Sequence, residues 1–233
     1  MALLLACNAI GHAAAQEAAK KPAAPSFAEL EAAGAVIGEV RINTQNIFDL
    51  DDPGENNPLF RLANRLHIRT RARSIERELL FRRGERVSAR VIDETERLLR
   101  ARDHLYDVVI EPIAYRDGVV DIEVRTRDTW SFEPGISFGR GGGKTSGEIS
   151  LKEHNLLGSG ISIGLARVSG VDRDGNEFQL SSRHAFGNWI GISYALAKFD
   201  DGRSQSLSVA RPFYALDARW AAGASASEAE RID

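Results

Sequence analysis

The sequence predicts an α+β domain with the element order β-α-α-β-β, followed by antiparallel strands that form part of a membrane β-barrel. A helical hydrophobic period occurs between residues 70 and 102, with strand-like alternation on both sides of it. After Trp130 the helical period does not return, and apolar and small polar residues alternate as far as Ala226. We therefore divide the chain into residues 1–15 (signal peptide), 16–34 (linker), 35–129 (α+β domain) and 130–233 (strands).

The composition supports a folded protein and argues against a nucleic-acid partner. Of 233 residues, 43% are hydrophobic and 27% are charged, which is typical of a chain with a packed core. The formal net charge is −3, so the chain lacks the basic excess of a nucleic-acid-binding protein. Because Cys7 is the only cysteine, a disulfide bond within the chain is excluded.

The N-terminus has the features of an exported protein. Residues 2–10 are hydrophobic, and Ala13-Ala14-Ala15 before Gln16 is typical of a signal-peptidase site. The run Leu4-Leu5-Ala6-Cys7 also resembles a lipobox, in which Cys7 would carry the lipid. We expect cleavage before Gln16 and, because no basic residue follows Met1 directly, a true start upstream of it.

The first strand and the two helices are predicted from residues 35 to 102. Residues 35–42 alternate, with Val36, Gly38, Val40 and Ile42 on one face, and residues 43–58 indicate an irregular loop. The first helix covers residues 70–81 and stops at Gly84; the second begins near Ser88. Ten arginines and six acids alternate between Arg71 and Arg102, which favours a solvated, salt-bridged helix pair.

A hairpin completes the α+β domain. Its strands cover residues 105–115 and 119–126, and Asp117-Gly118 between them is a strong tight-turn signal. Pro112 cannot donate to a strand ladder, so we assign residues 105–115 to an edge of the sheet. The backbone of Val108, Val109 and Ile110 is then the candidate site for pairing with an extended partner.

About seven further strands are predicted between Trp130 and Ala226. Turn signals occur at residues 141–143, 158–160, 174–176 and 200–202. Glycine and serine alternate with large apolar residues, and this small, polar second face favours a barrel over a soluble β-sandwich, the alternative fold. The predicted lipid-facing residues are Ile136, Phe138, Ile149, Leu151, Ile161, Ile163, Ile192 and Tyr194.

Motifs that resemble catalytic or nucleotide sites lack the required context. The pattern G-x-S-x-G occurs at residues 135–139 and 160–164, but inside continuous alternation rather than between a strand and a helix. Gly141-Gly142-Gly143-Lys144-Thr145 lacks the first glycine of a phosphate-binding loop. The histidines have no metal-ligand spacing. We therefore expect no catalytic residue, no cofactor and no metal.

Four segments carry a resemblance to a known family. The most specific is residues 153–160, similar to an E-x-N-L-x-G-x-G turn, in which Glu153, Asn155, Leu156, Gly158 and Gly160 match. Residues 70–84, the passage through residues 124–130 and Arg211-Pro212-Phe213-Tyr214 also fit. The chain resembles the BamA/TamA-like outer-membrane assembly family, in which a POTRA domain precedes a bacterial surface antigen barrel.

This resemblance implies a POTRA-like domain in the periplasm and strands in the cell outer membrane. The implied function is assembly or translocation of outer-membrane proteins, with unfolded clients bound by β-augmentation at residues 108–110. Implied partners are unfolded outer-membrane proteins, outer-membrane lipid and periplasmic lipoproteins. The alternatives are a soluble periplasmic protein-binding module or an outer-membrane esterase.

The chain departs from the family pattern in two features. It has neither the V-R-G-F/Y motif nor a terminal aromatic strand. About seven strands are also fewer than the roughly eight that the smallest single-chain barrels use. We therefore expect a C-terminally shortened member, or a strand domain that does not span the membrane.

Overall fold

The computed structural model of the protein describes residues 24–141, 143–170, 173–186 and 189–232. The predicted signal peptide and Cys7 lie outside these residues. No helix in the described ranges combines the length and apolar character needed to cross a membrane. In chain order the elements are α1 (Phe27–Ala32), β1 (Val36–Gln45), α2 (Pro58–Leu66), α3 (Ala72–Glu76), α4 (Ala89–Arg100), β2 (Leu105–Arg116), β3 (Val119–Asp128), β4 (Phe132–Gly141), β5 (Lys144–Glu153), a 3-10 turn (Leu156–Gly158), β6 (Ser162–Ser169), β7 (Asp174–Ser182), β8 (Gly191–Phe199), β9 (Gly202–Arg211) and β10 (Ala222–Arg231).

The first half of the chain forms a three-stranded sheet with the order β1-β3-β2. The central strand β3 pairs in parallel with β1 and antiparallel with β2. Alternate residues of β3, namely Val120, Ile122 and Val124, are fully buried. They form one hydrophobic core with residues of α1, α3 and α4 on the covered face of the sheet.

The β2–β3 hairpin confirms the tight turn that Asp-Gly predicts. Only Asp117 and Gly118 lie between the two strands, with φ of 51° and 78°. Two positive φ values at the central positions are the requirement of a type I′ turn, whose twist matches that of the strands. The register of the hairpin is therefore set locally by these two residues.

A bulge in β1 makes the predicted facing of that strand wrong at its first residues. The pairing with β3 shifts between Ile37 and Val40, so Ile37, not Val36, enters the core and is 1% exposed. Gly38 lies in the bulge, where an added Cβ would be 2.4 Å from Asp121 Oδ1. The extra residue reverses the alternation, and Val40 and Ile42 pack against the core as expected.

The helices of the first half differ from the prediction in three places. The predicted linker at 16–34 contains α1, whose Leu30 is 1% exposed and belongs to the core. Helix α2 follows the predicted loop directly and has no counterpart in the prediction. The predicted helix over 70–81 is shortened to α3, after which Leu79 and Phe81 enter the core from non-helical backbone.

Helix α4 confirms the second predicted helix. It begins after Ser88, and its buried residues include Ile92 and Leu99. Arg90 and Arg97 are exposed and lie within 4 Å of the carboxylate of Glu94, which is itself buried, and Arg100 forms an ion pair with the partly exposed Glu96. The expected salt bridges are present, but the expectation that all of these charges are solvated is wrong, because Glu94, Glu78 and Arg102 are buried.

The second half forms one seven-stranded antiparallel sheet in which every strand pairs with the next, from β4 to β10. The strand count agrees with the prediction, and the continuous meander differs from the two packed sheets of a β-sandwich. One predicted turn is wrong, because Asp174-Gly175-Asn176 lies within β7. The chain reverses before it, where Gly170 N donates to Arg173 O at 2.9 Å.

Candidate functional site

The turn between β5 and β6 contains the predicted E-x-N-L-x-G-x-G motif and packs against the segment between α2 and α3. Asn155 is 2% exposed. Its Nδ2 donates to Thr70 Oγ1 at 2.7 Å, and its Oδ1 accepts from Gly160 N at 2.8 Å. Glu153 Oε1 accepts from Asn155 N at 2.8 Å. The motif is therefore a joint that ties the seven-stranded sheet to the α+β half.

Gly158 is the point of closest backbone approach in this joint. Its φ is 72°, and an added Cβ would lie 2.4 Å from Arg69 O. Its carbonyl oxygen accepts from Arg71 N at 2.9 Å and from Ser74 Oγ at 3.0 Å. No side chain fits at this position, because both the backbone conformation and the available space exclude it.

A buried carboxylate at the end of β3 extends the joint. Asp128 Oδ2 accepts from Thr70 N at 2.7 Å and lies 2.9 Å from Nε2 of His67, the residue that ends α2. The side chains of His67 and Asp128 are both almost completely buried. The chain of contacts His67–Asp128–Thr70–Asn155 therefore connects α2, the central strand β3 and the β5–β6 turn.

Two further connections of the sheet lie against the same half of the protein. Leu216 N, in the β9–β10 connection, donates to Glu94 Oε1 of α4 at 2.7 Å. Trp189, before β8, stacks on Tyr214 with ring centroids 4.6 Å apart. These two rings, together with residues of α3 and α4, line a cavity of about 490 Å³. Two connections of the sheet, β5–β6 and β9–β10, are thus hydrogen-bonded to the α+β half, and the β7–β8 connection lines a cavity with it.

A polar cavity of about 310 Å³ lies where the α+β half meets one face of the sheet. Arg102 and Glu78 form a buried ion pair on its wall, and Lys152 and Arg183 also line it. Burial raises the pKa of Glu78, although the Arg102 charge opposes this effect. Burial lowers the pKa of His104 to about 4, so this imidazole is neutral at pH 7.

Strand register places large apolar side chains on one face of the sheet. Ile136 pairs with Ile149, Ile163 with Leu180, and Tyr194 with Leu207. Directly paired residues of antiparallel strands share a face. Of the predicted lipid-facing residues, Ile161 precedes β6, and those that lie within strands share this apolar face: Ile136, Phe138, Ile149, Leu151, Ile163, Ile192 and Tyr194.

The opposite face of the sheet carries small and polar side chains. Its pairs include Gly135 with Ser150, Ala166 with Glu177, and Ser193 with Ser208. Because the side-chain period of a strand is two, one register assigns every strand of the sheet to the same two faces. The predicted separation of small polar residues from large apolar residues is thus present in the folded sheet.

Strand β2 is an edge of the three-stranded sheet, as Pro112 predicts. The outward backbone groups of Val108 and Ile110 are hydrogen-bonded to side chains of α4. Arg100 Nη2 donates to Val108 O at 2.7 Å, and Ile110 N donates to Glu96 Oε2 at 3.2 Å. Arg100 and Glu96 also form an ion pair at 2.7 Å. We call Glu96 and Arg100 the edge cap.

The same geometry separates the three candidate residues of β2 into two kinds. The outward hydrogen bonds of Val108 and Ile110 mean that Val109, between them, directs its backbone groups towards β3, where it is paired with Arg125. Only Val108 and Ile110 can therefore offer backbone hydrogen bonds to another strand. The side chains of these two residues are buried.

The motifs that resemble catalytic sites lie in strands. Residues 135–139 are inside β4, and residues 160–164 cross the start of β6. Neither has the strand-turn-helix geometry that exposes a nucleophilic serine. In the described ranges, no group of three or more His, Cys, Asp or Glu residues could hold a metal ion.

Several residues of the joint and of the edge are absent from the sequence predictions. Thr70 and Asn155 are 85 positions apart, and Glu96 lies 14 positions before Ile110. Contacts of this kind leave no periodic signal in one sequence, because only the folded chain brings the partners together. The alternation of arginines and acids predicts salt bridges along the helix in general, but not the contact of Glu96 and Arg100 with β2.

Comparison with known proteins gives a likeness of fold. No protein-family model matches the chain, and no curated protein matches its sequence. A crystal structure of BamA from Haemophilus ducreyi lacking POTRA domains 1–3 superposes with a TM-score of 0.54 at 13% identity, over 76% of this chain and 31% of that chain. CdiB from Acinetobacter baumannii gives a TM-score of 0.49 at 14% identity, over 86% of this chain and 39% of that chain. The chain thus spans about a third of the length of the structures it matches, and it shares the fold of that part of BamA.

Removal of Asn155 tests the joint. Asn155→Ala leaves Thr70 Oγ1 and Gly160 N without their buried partner, so we expect a loss of about 1–3 kcal/mol in the free energy of unfolding. The measurement is thermal unfolding of the purified chain, followed by the helical circular dichroism of α1–α4. Asn176→Ala, which removes an exposed asparagine of β7, is the control and should leave the transition in place.

A double-mutant cycle identifies the contact. Thr70→Val removes the hydroxyl that Asn155 binds, so the double variant should lose less stability than the sum of the two single variants. Additive losses would mean that the two side chains stabilise the protein independently, and the joint would not depend on their contact.

Proposed function

We propose that this chain belongs to the BamA/TamA-like outer-membrane assembly family and acts in the insertion or translocation of outer-membrane proteins. Two observations support the proposal: the likeness of fold to part of BamA over 76% of the chain, and the order of an α+β unit followed by an apolar-faced meander. The buried joint holds these two halves in one arrangement. The matching turn motif forms that joint, which is a structural reason for the resemblance in residues 153–160.

In this proposal the α+β half is a POTRA-like domain in the periplasm, and β4–β10 are the first strands of an outer-membrane barrel. The apolar face, which includes Ile136, Ile149 and Tyr194, contacts lipid. The small, polar face lines the lumen, as interior positions of barrels do. The contacts of the joint lie at the periplasmic end, because the α+β half lies there.

Client binding then occurs by strand addition at β2. An extended client donates to Val108 O and accepts from Ile110 N, the two groups that the edge cap occupies. Backbone pairing depends little on the client's sequence, which suits a protein that handles many clients. The edge cap competes with the client, because both use the same two backbone groups.

The second contact with a client is at the sheet. Strand β4 pairs with β5 on one side only among the described strands, so its other edge is available to a client strand in the membrane. A client strand that pairs there satisfies backbone groups that would otherwise be costly in lipid. The two edges offer the client sequential pairing sites, first outside and then inside the membrane.

Assembly activity is tested in reconstituted vesicles. Vesicles that contain the chain should accelerate the folding of a urea-unfolded eight-stranded outer-membrane protein relative to empty vesicles, measured as the appearance of its protease-resistant form. The heat-denatured chain is the control. Equal rates with and without the chain would contradict the proposed function.

Opposite tolerance of the two sheet faces tests the membrane assignment. Leu165→Arg places a charge on the apolar face and should cost roughly 2–4 kcal/mol near the bilayer midplane, so the chain should be extracted from vesicles by urea. Ala166→Arg, on the next residue and the opposite face, should remain integrated. Equal extraction of both variants would mean that both faces are buried in protein.

The edge cap provides the test of client binding. Glu96→Ala and Arg100→Ala should each strengthen binding of a labelled extended peptide of alternating Val and Thr about two- to tenfold, because each frees one backbone group that the client uses. Fluorescence anisotropy with the full chain in detergent gives the affinity. Arg97→Ala is the matched control on α4, since Arg97 contacts Glu94 and not β2. Unchanged or weaker binding in both cap variants would place the client elsewhere.

A further inference from the structure

Helix α2 packs in an unusual orientation, with its leucines directed outward. None of its residues is buried, and Leu59, Leu62 and Leu66 are 67%, 49% and 64% exposed. Their spacing of three and four residues places them in one stripe along the helix. A helix of a water-soluble surface normally turns such a stripe towards the core.

The opposite side of α2 attaches the helix to the protein. Asn64 Nδ2 donates to Phe48 O at 2.8 Å, and its Oδ1 accepts from Phe48 N at 3.0 Å. The rings of Phe48 and Phe60 stack with centroids 3.8 Å apart. Asn57 caps the helix by accepting from Phe60 N at 3.0 Å. The polar and aromatic side is thus fixed inward, so the outward direction of the leucines is a built feature.

The segment that contains α2 is strongly basic. Residues 56–75 include five arginines and no aspartate or glutamate. Arg61 and Arg65, on α2 itself, are exposed beside the leucine stripe. The nearest preceding acid, Glu55, is engaged with Arg127. An apolar stripe flanked by arginines is the pattern of a helix that lies at a membrane surface with anionic headgroups.

The stripe is continuous with the apolar face of the sheet. Leu66 and Ile68 line one cavity of about 180 Å³ together with Trp130, Phe132 and Leu157. Phe132 is on the apolar face, since it lies four residues before Ile136 in β4 and side chains at even spacing along a strand share a face. Exposed tryptophan at the end of an apolar face is typical of the membrane-water interface. Helix α2 is therefore positioned where the lipid-facing surface ends.

We propose that α2 is a lipid-docking helix that inserts Leu59, Leu62 and Leu66 into the headgroup region of the membrane that carries β4–β10, with Arg61 and Arg65 on anionic phospholipids. This inference rests on the proposed membrane location of the sheet. Its consequence is a second attachment of the α+β half besides the buried joint. The lipid fixes the angle between that half and the bilayer.

An environment-sensitive fluorophore on α2 tests the proposal. Leu62→Cys in a Cys7→Ala background is labelled with a nitrobenzoxadiazole dye, and the full chain is reconstituted into vesicles of phosphatidylethanolamine with phosphatidylglycerol. The emission should shift to the blue and be quenched by brominated lipid. Asp93→Cys, on the exposed side of α4, is the matched label and should stay in water. Arg61→Gln and Arg65→Gln should each lower the ratio of inserted to water-exposed label about fivefold.

The controls separate this inference from the proposed function. Resistance of β4–β10 to urea extraction reports sheet integration in the same samples. An integrated sheet with a water-exposed label at residue 62 overturns the lipid-docking role alone. A label that leaves water only after a periplasmic protein is added also overturns it, because α2 would then bind that protein rather than lipid. Equal insertion in phosphatidylcholine vesicles overturns the role of anionic lipid. A sheet that fails to integrate overturns the proposed function itself.

Discussion

The arrangement of the protein depends on a buried chain of polar contacts between its two halves. Asp128, Thr70 and Asn155 are all nearly inaccessible to water, and each supplies a partner that the next one needs. Loss of one member leaves a buried polar group unpaired, which costs more than the hydrogen bond contributes when it is made. Apolar contacts are non-directional and would permit sliding, whereas these bonds hold only in one geometry. The joint therefore converts two separate sheets into one oriented unit.

The sheet itself has two unlike ends. The connections at the α+β half, such as the β5–β6 turn and the β9–β10 connection, make specific hydrogen bonds to helices or to the segment between them. At the far end, the β8–β9 connection is only Asp200 and Asp201. The same strands are thus anchored through their connections at one end, while the other end is closed by hairpins. The sheet therefore has one end that is anchored to the α+β half and one that is not.

Local patterns in the sequence predict much of the fold, because their causes are local. Asp117-Gly118 sets its hairpin through backbone conformation, and the strand alternation after Trp130 sets both faces of the sheet through its period of two. The features that the sequence did not predict depend on contacts between residues that are distant in the sequence. The β1 bulge depends on Asp121 of another strand accepting from Glu39 N, and the end of α3 coincides with the contact of Glu78 with Arg102. The orientation of α2 is hidden because its leucines have the spacing of a core stripe, although the inward side is fixed by Asn64.

In the candidate site too, the local motifs could be predicted from the sequence, whereas the contacts between distant residues could not. Glu153, Asn155 and Gly158 could be identified from the turn motif, but not the residues that they contact, which lie in α3 and in the segment before it. The edge position of β2 followed from Pro112, whereas the edge cap required the packing of α4 across that edge. A single sequence therefore locates the turn motif and the edge strand. It does not reveal which residues of other elements contact them.

The edge cap has a consequence for the protein in concentrated solution. Two copies that met through β2 would join their three-stranded sheets into one mixed sheet of six strands, and such growth is how exposed edges begin aggregation. Glu96 and Arg100 stand in the way of that union, and Pro112 removes a donor from the same edge. The protection is ionic, so it weakens as added salt screens the pair, and self-association should be favoured at high ionic strength. Glu96 and Arg100 would then limit pairing of β2 with a second copy and with any other strand alike, because both would need the same two backbone groups.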